Sequence, residues 1–117
     1  MLANVTGDTL LKVLATLANP HRMRVVAALA QERNYVSALA RELGISRALL
    51  QVHLRKLESA GLVTSAVEVS DDGKAMKYYE VAPFALHLTP EVIATAVRTL
   101  ATVDNATTDK DLTEELR

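Results

Sequence analysis

Apolar residues recur at Leu10, Val13, Leu14 and Leu17, the i, i+3, i+4, i+7 spacing of one helix face, and predict a first helix over residues 8–18. Asp8 or Thr9 is read as its cap, accepting from the unpaired N–H groups of the first turn. Asn19-Pro20 ends that helix and opens the next, because asparagine suits an N-cap and proline the first helical position, where its missing N–H costs nothing. The second helix is expected to reach about Glu32, with Val25, Val26 and Leu29 inward and Arg22 and Arg24 outside or half buried. "ERNYV" reads as a turn. Ser37 is expected to cap a short third helix ending at Leu43, with Leu39 and Leu43 inward. Gly44 stands where a left-handed residue terminates a helix, Ile45 is the apolar residue of the turn, and Ser46 caps a fourth helix. Leu50, Leu54 and Leu57 then form a stripe at spacings of four and three, and Gly61 supplies a second helix-ending glycine.

After Gly61 the period changes. "LVTSAVEV" puts Val63, Val67 and Val69 on one face with Ser65 between them, "SDDGK" is a turn, and "AMKYYEV" returns antiparallel until Pro83 stops the ladder. Thr89-Pro90 repeats the cap-then-proline start, Glu91 favours the first-turn dipole, and Ile93, Ala96, Val97, Leu100 and Ala101 form the apolar face of a last helix running to Val103. The expected fold is mainly α with a small β-hairpin (α+β), in the order α-α-α-α-β-β-α. One domain is expected over residues 1–103, followed by a polar, acidic tail over 104–117 that is expected to be disordered.

Composition narrows this picture. The 117 residues include three tyrosines, one phenylalanine and no tryptophan, so the core must be built from Leu, Val and Ala. The absence of cysteine excludes disulfides, Cys-based zinc sites and a thiol nucleophile. No apolar run reaches 18 residues, and the start "MLANVTGDTL" lacks the positive segment of a secretory signal, so a cytoplasmic protein without membrane association is expected. The Asn-x-Thr sequences at Asn4 and Asn105 are then chance matches. The net charge of −1 conceals an asymmetry: residues 21–56 carry seven basic and two acidic side chains, while residues 57–103 and 104–117 are each at −3. A basic stretch inside a near-neutral chain points to an anionic partner for one face, with solvated surface charge as the plainer reading.

Two helices joined by a glycine-containing turn and followed at once by a hairpin make the winged helix-turn-helix pattern. The recognition helix is expected at about 46–60 and the wing at about 62–82. With the leucine stripe inward, the opposite face holds Arg47, Ala48, Gln51, Val52 and Arg55. Arginine can pair bidentately with guanine and glutamine with adenine, while Ala48 and Val52 can touch a thymine methyl. Arg55 and Lys56 suit phosphates, and so do the helix starts capped by Ser37 and Ser46. Lys74 at the hairpin tip and Lys77 on the returning strand suit backbone or minor-groove contact, although Asp71 and Asp72 at that tip repel phosphate.

The stretches "LATLANPHRMRVVAALA" (14–30), "VSALARELGISRALLQVHLRKLESAGLV" (36–63) and "DGKAMKYYEV" (72–81) together resemble the ArsR family of small winged-helix repressors over about half the chain. The Asn-Pro-x-Arg helix start, the "HLxxLExAGLV" run and the "YYEV" strand carry the likeness. The resemblance implies a homodimer built from the first and last helices, with Leu10, Leu14, Ile93, Val97 and Leu100 at the interface, binding double-stranded DNA at a near-palindromic operator. Many members of that family sense metals through cysteines on the third helix or Asp/His/Glu sets on the last. Here "YVSALAREL" has no cysteine, and the last helix and tail have no histidine. No metal site and no cofactor are therefore expected, and a small-molecule effector stays unidentified. His21, His53 and His87 are not spaced as metal ligands and read as packing or capping residues, with a phosphate contact as the alternative for His53. No catalytic constellation or phosphate-binding glycine loop appears, so an enzyme is not expected. The rival reading is a winged-helix module that binds protein and never reads DNA sequence.

Overall fold

The computed structural model describes residues 6–101, so the expected acidic tail and Val103 lie outside the described residues. The elements follow the order α1 (Gly7–Leu17), α2 (Pro20–Gln31), β1 (Asn34–Tyr35), α3 (Val36–Leu43), α4 (Arg47–Ser59), β2 (Val63–Val69), β3 (Ala75–Val81) and α5 (Pro90–Val97). Three of the helix starts are those expected from local chemistry. The Asn19 side chain accepts from the Arg22 N–H at 3.2 Å, Ser46 Oγ from Leu49 N–H at 3.0 Å and Thr89 Oγ1 from Val92 N–H at 3.1 Å.

The two helix-ending glycines work identically. Gly44 (φ 69°) and Gly61 (φ 76°) adopt the left-handed conformation that a Cβ disfavours. In each case the glycine N–H and the next N–H turn back to the last carbonyls of the helix: Gly44 to Arg41 and Ile45 to Ala40, then Gly61 to Glu58 and Leu62 to Leu57. The apolar residue after each glycine is thereby folded inward. Leu62 is fully buried, and Ile45 packs against the core from its edge.

That core joins Val13, Val25, Leu29, Leu39, Leu50, Leu54 and Leu57 to Leu62 of the turn after α4 and to Val63 and Tyr79 of the sheet. Leu39 is enclosed and Leu43 half-buried beside it, so α3 clamps the leucine stripe of α4 as its spacing requires. Each fully enclosed leucine contributes roughly 1.5–3 kcal/mol relative to exposure.

Four expectations are corrected. The sheet has three antiparallel strands in the order β1-β3-β2, because "NY" pairs with β3 in the register Asn34↔Tyr79 and Tyr35↔Tyr78. Tyr35 packs edge-on against Tyr78 at 5.8 Å. A two-residue strand shows no alternation of its own; its ladder partner supplies the conformation. Ser37 caps nothing, since α3 begins at Val36 after Tyr35, whose side chain makes no capping bond. Thr6, not Asp8 or Thr9, caps α1, with its Oγ1 accepting from Thr9 N–H at 3.2 Å. The last helix ends at Val97 and continues only as tighter turns, with Arg98, Thr99 and Leu100 donating three residues back.

Those turns dock on α1. The Gly7 N–H donates to Thr99 Oγ1 at 2.7 Å, and the Ala101 N–H donates to Asp8 Oδ1 at 3.1 Å. Gly7 is buried there because a Cβ would lie 2.3 Å from the Ala96 carbonyl oxygen and 2.7 Å from the Leu100 side chain. Leu10 is also consumed by this packing and is only 5% exposed. Leu14 is half-buried, leaving Leu11, Ile93, Val97 and Leu100 as the exposed large apolar residues of α1, α5 and the turns that follow it.

Candidate nucleic-acid interface

α4 is held by its buried side, and one turn every 3.6 residues sends Arg47, Ala48, Gln51, Val52 and Arg55 to the opposite face. Gln51 is half-buried and the other four are exposed. The acidic residue of the helix, Glu58, is turned toward β2, where its carboxylate accepts from Ser65 Oγ at 3.0 Å. The outward face therefore presents two guanidiniums, an amide and two small apolar groups. Ser46 is exposed at its N-terminus, whereas Ser37 lies half-buried within the first turn of α3.

Lys56 departs from this group. One residue beyond Arg55, it is rotated by about 100° around the helix, and it lines a hollow with Lys12 of α1 and Arg22 of α2. His53 departs too. It stands three residues after Leu50 and four before Leu57, a spacing that places it on the buried stripe, and it is 5% exposed. Its ring stacks on His21 at 5.3 Å, and its Nδ1 accepts from Arg22 Nε at 3.2 Å. A guanidinium can only donate, so the neutral imidazole carries its proton on Nε2, which is buried with no partner among the described residues. So enclosed, His53 offers no nitrogen to a phosphate. Its stacking on His21, 32 positions earlier in the chain, is a pairing that residue spacing does not reveal. No cluster of three or more metal-ligating side chains occurs among the described residues.

Burial, then the charges of Arg22, His21 and Lys56, hold the His53 pKa below the ordinary 6.5. Below about pH 6.5 the unfolded chain takes up a proton that the native state refuses, so stability falls as pH is lowered toward the depressed native pKa and levels off beneath it. Urea midpoints are expected to drop more steeply between about pH 7 and pH 5 in the parent than in His53→Gln, whose amide can still accept from Arg22. Parallel pH profiles would assign the dependence to other groups.

In the wing, β2 and β3 pair from Val63↔Val81 to Val69↔Ala75. Val63 is enclosed at the base, but Val67 and Val69 are 63% and 69% exposed because the strands project past the helices. Lys74 is exposed at the tip. The Lys77 ammonium lies 5.4 Å from the Tyr79 ring centre, against the sheet. Asp72 is engaged in the turn, accepting from Ser70 Oγ and the Lys74 N–H, and these bonds hold its carboxyl below the usual range. The projecting hairpin is braced from the side. Arg33 pairs with Glu68 of β2 and lies 4.5 Å over the Tyr78 ring of β3. Sequence reasoning missed this brace, since 35 positions separate Arg33 from Glu68.

The comparisons with known proteins agree with this architecture. A family model described as a helix-turn-helix domain matches residues 17–66. An HTH-type transcriptional regulator of Methanocaldococcus jannaschii is 34% identical over 82 residues, covering 70% of this chain and 85% of the relative. Among solved structures, NolR from Sinorhizobium fredii superposes with a TM-score of 0.55 at 28% identity, over 74% of this chain and 76% of that one. The homodimeric winged helix-turn-helix DNA-binding domain of a possible ArsR-family regulator from Mycobacterium bovis superposes with a TM-score of 0.57 at 26% identity, over 78% and 74%. With the hinge, the clamped helix and the wing all in place, the chain belongs to the ArsR-type winged helix-turn-helix family of DNA-binding transcriptional regulators.

Proposed function

We propose that the chain is a homodimeric repressor that reads a near-palindromic operator, with α4 entering the major groove and the wing on the backbone. The observation that carries this is the outward face of α4, where Arg47, Gln51 and Arg55 stand with Ala48 and Val52 and without a carboxylate among them. Arg47 and Gln51, near the helix start, read base edges; Arg55, Ser46 and Lys74 bind phosphates and fix the register. Lys77, held over Tyr79 and opposite Val67, contributes charge midway along the wing. Ser37, half-buried in the first turn of α3, and Lys56, turned into the hollow with Lys12 and Arg22, stand apart from this face.

Two copies associate through α1 and α5. Leu11 (57% exposed), Ile93 (45%) and Val97 (54%) form an apolar surface on these elements, continued by Leu14 and Leu100. The M. bovis domain is homodimeric, which supports the pairing of two copies. Two recognition helices related by a two-fold axis match half-sites about one helical turn apart.

Arg47→Ala is expected to cost about 1–3 kcal/mol on the selected operator and to relax preference at one base pair of each half-site. Lys74→Ala weakens binding to every duplex modestly and lowers the salt slope by about one. The test is selection of genomic fragments by the purified protein, followed by affinity measurement across a salt series. Failure to enrich any sequence at physiological salt overturns operator reading; equal losses from both substitutions on all DNA overturn base reading by Arg47.

A further inference from the structure

Lys56 and its neighbours outline a second site. A hollow of about 260 Å³ opens between α1, α2 and α4, lined by Lys12, Ala15, Thr16, Arg22, Lys56 and Ser59. Three of these six residues are cationic and none is acidic. Among the described residues, the ion pair present is Arg33–Glu68, on the sheet side, so no carboxylate lies within 4.0 Å of the three cations. We propose that this hollow binds a small oxyanion, a phosphate or carboxylate group gripped by Lys12, Arg22 and Lys56.

The geometry favours a built site over scattered surface charge. Arg22 is half-buried, and two of its N–H groups are committed, Nε to His53 and Nη1 to the Thr16 carbonyl at 3.2 Å. The guanidinium plane is fixed by these bonds before any ligand arrives, and its remaining N–H groups are available. The Thr16 hydroxyl donates to the Lys12 carbonyl at 2.7 Å, so it can only accept inside the hollow. The Ser59 hydroxyl, without a hydrogen-bond partner among the described residues, can donate to an anion. His53, beside Arg22, has its pKa lowered first by burial and then by the charges of Arg22, His21 and Lys56, in keeping with a cationic neighbourhood. An oxyanion relieves the mutual repulsion of the three cations.

Size and position identify the ligand class. The volume lies just below the ~300–1,000 Å³ of ordinary ligand pockets, which suits an inorganic anion or a small phosphorylated or carboxylated metabolite. The hollow takes Lys12 from α1 and Lys56 and Ser59 from α4, so a bound anion ties α1 to the recognition helix. Its effect on operator affinity rests on the DNA-binding reading; its binding does not. The same oxyanion chemistry is carried by free phosphate and by the DNA backbone, and the small volume fits the free anion.

The test is a titration of the full ¹⁵N-labelled chain with sodium phosphate, against sodium chloride at matched ionic strength. Saturable shifts are expected at the Arg22 Nε–H and at the amides of Lys12, Ala15, Thr16 and Ser59, with chloride producing none. Lys12→Gln, on an exposed position, keeps its dispersed spectrum and loses about tenfold in phosphate affinity, the factor for one charge-assisted hydrogen bond. Shifts equal to those with chloride, or undiminished affinity in both Lys12→Gln and Lys56→Gln, overturn the site. Repeating the titration on protein saturated with duplex DNA separates the sources: a persisting response supports a free anion, and a response already exhausted by the duplex overturns that assignment. A chain that binds phosphate but selects no operator leaves the site standing while the repressor reading fails.

Discussion

Leu54→Ala is expected to destabilise the protein by about 2–5 kcal/mol, enough to leave a domain of typical stability, about 5–15 kcal/mol, near its threshold. Leu54 is completely enclosed at the centre of the α4 stripe, between Leu50 and Leu57 and under the clamp of α3. Truncation removes its transfer energy and leaves a void that two rigid helices cannot close. The urea midpoint should fall with the slope unchanged, since the same surface is exposed on unfolding. DNA affinity, measured where the variant is still folded, should fall for all sequences together, because the whole outward face of α4 depends on the inward one. A loss below about 1 kcal/mol would show that α3 and α4 relax into the void, and that the clamp is not what orients the helix.

The second large effect is expected from a residue that touches no DNA. Gly7→Ala places a methyl 2.3 Å from the Ala96 carbonyl oxygen, a distance no real contact tolerates, with the Leu100 side chain 2.7 Å away. The obstructing atom is backbone, so α1 must move off α5. That movement breaks the Gly7–Thr99 and Ala101–Asp8 hydrogen bonds together, and a cost of about 1–3 kcal/mol or more follows. Its signature is spatial. Spectral changes should concentrate in α1 and α5 while α3, α4 and the wing keep their shifts. Because the exposed Leu11, Ile93, Val97 and Leu100 ride on these helices, self-association should weaken on dilution, seen by analytical ultracentrifugation and as a steeper concentration dependence of Tm. A variant with parent-like Tm and association would show that α1 and α5 do not depend on this close approach.

These two residues mark opposite ends of what can be read from a chain. Leu54 announces itself, since a stripe at spacings of four and three has one helical explanation. Gly7 does not; it reads as a flexible position before a helix, and its constraint comes from a carbonyl 89 positions away. His53 lies between these cases. Its spacing from Leu50 and Leu57 places it on the buried stripe, but its Arg22 and His21 contacts come from α2. The brace of Arg33 on Glu68 and Tyr78, and the strand at Asn34–Tyr35, likewise depend on partners distant in the chain.

The same division applies to the outward-facing residues. That Arg47, Ala48, Gln51, Val52 and Arg55 share a face follows from helical geometry alone once the leucines are placed inward. That Lys56 leaves them to meet Lys12 and Arg22 depends on where α1 and α2 pack. By itself, the sequence determined the helix-turn-helix: the caps at Asn19, Ser46 and Thr89, the left-handed glycines at 44 and 61, and the stripe that turns α4 outward. These are bonds and burial patterns within about five residues, and side-chain type alone selects them. Only the tertiary structure decided the third strand, the docking of α1 on α5, the neutral buried histidine and the cationic hollow. Each of these joins residues far apart along the chain, and such contacts leave no periodic trace, because they are set by how the helices pack and not by how each one forms.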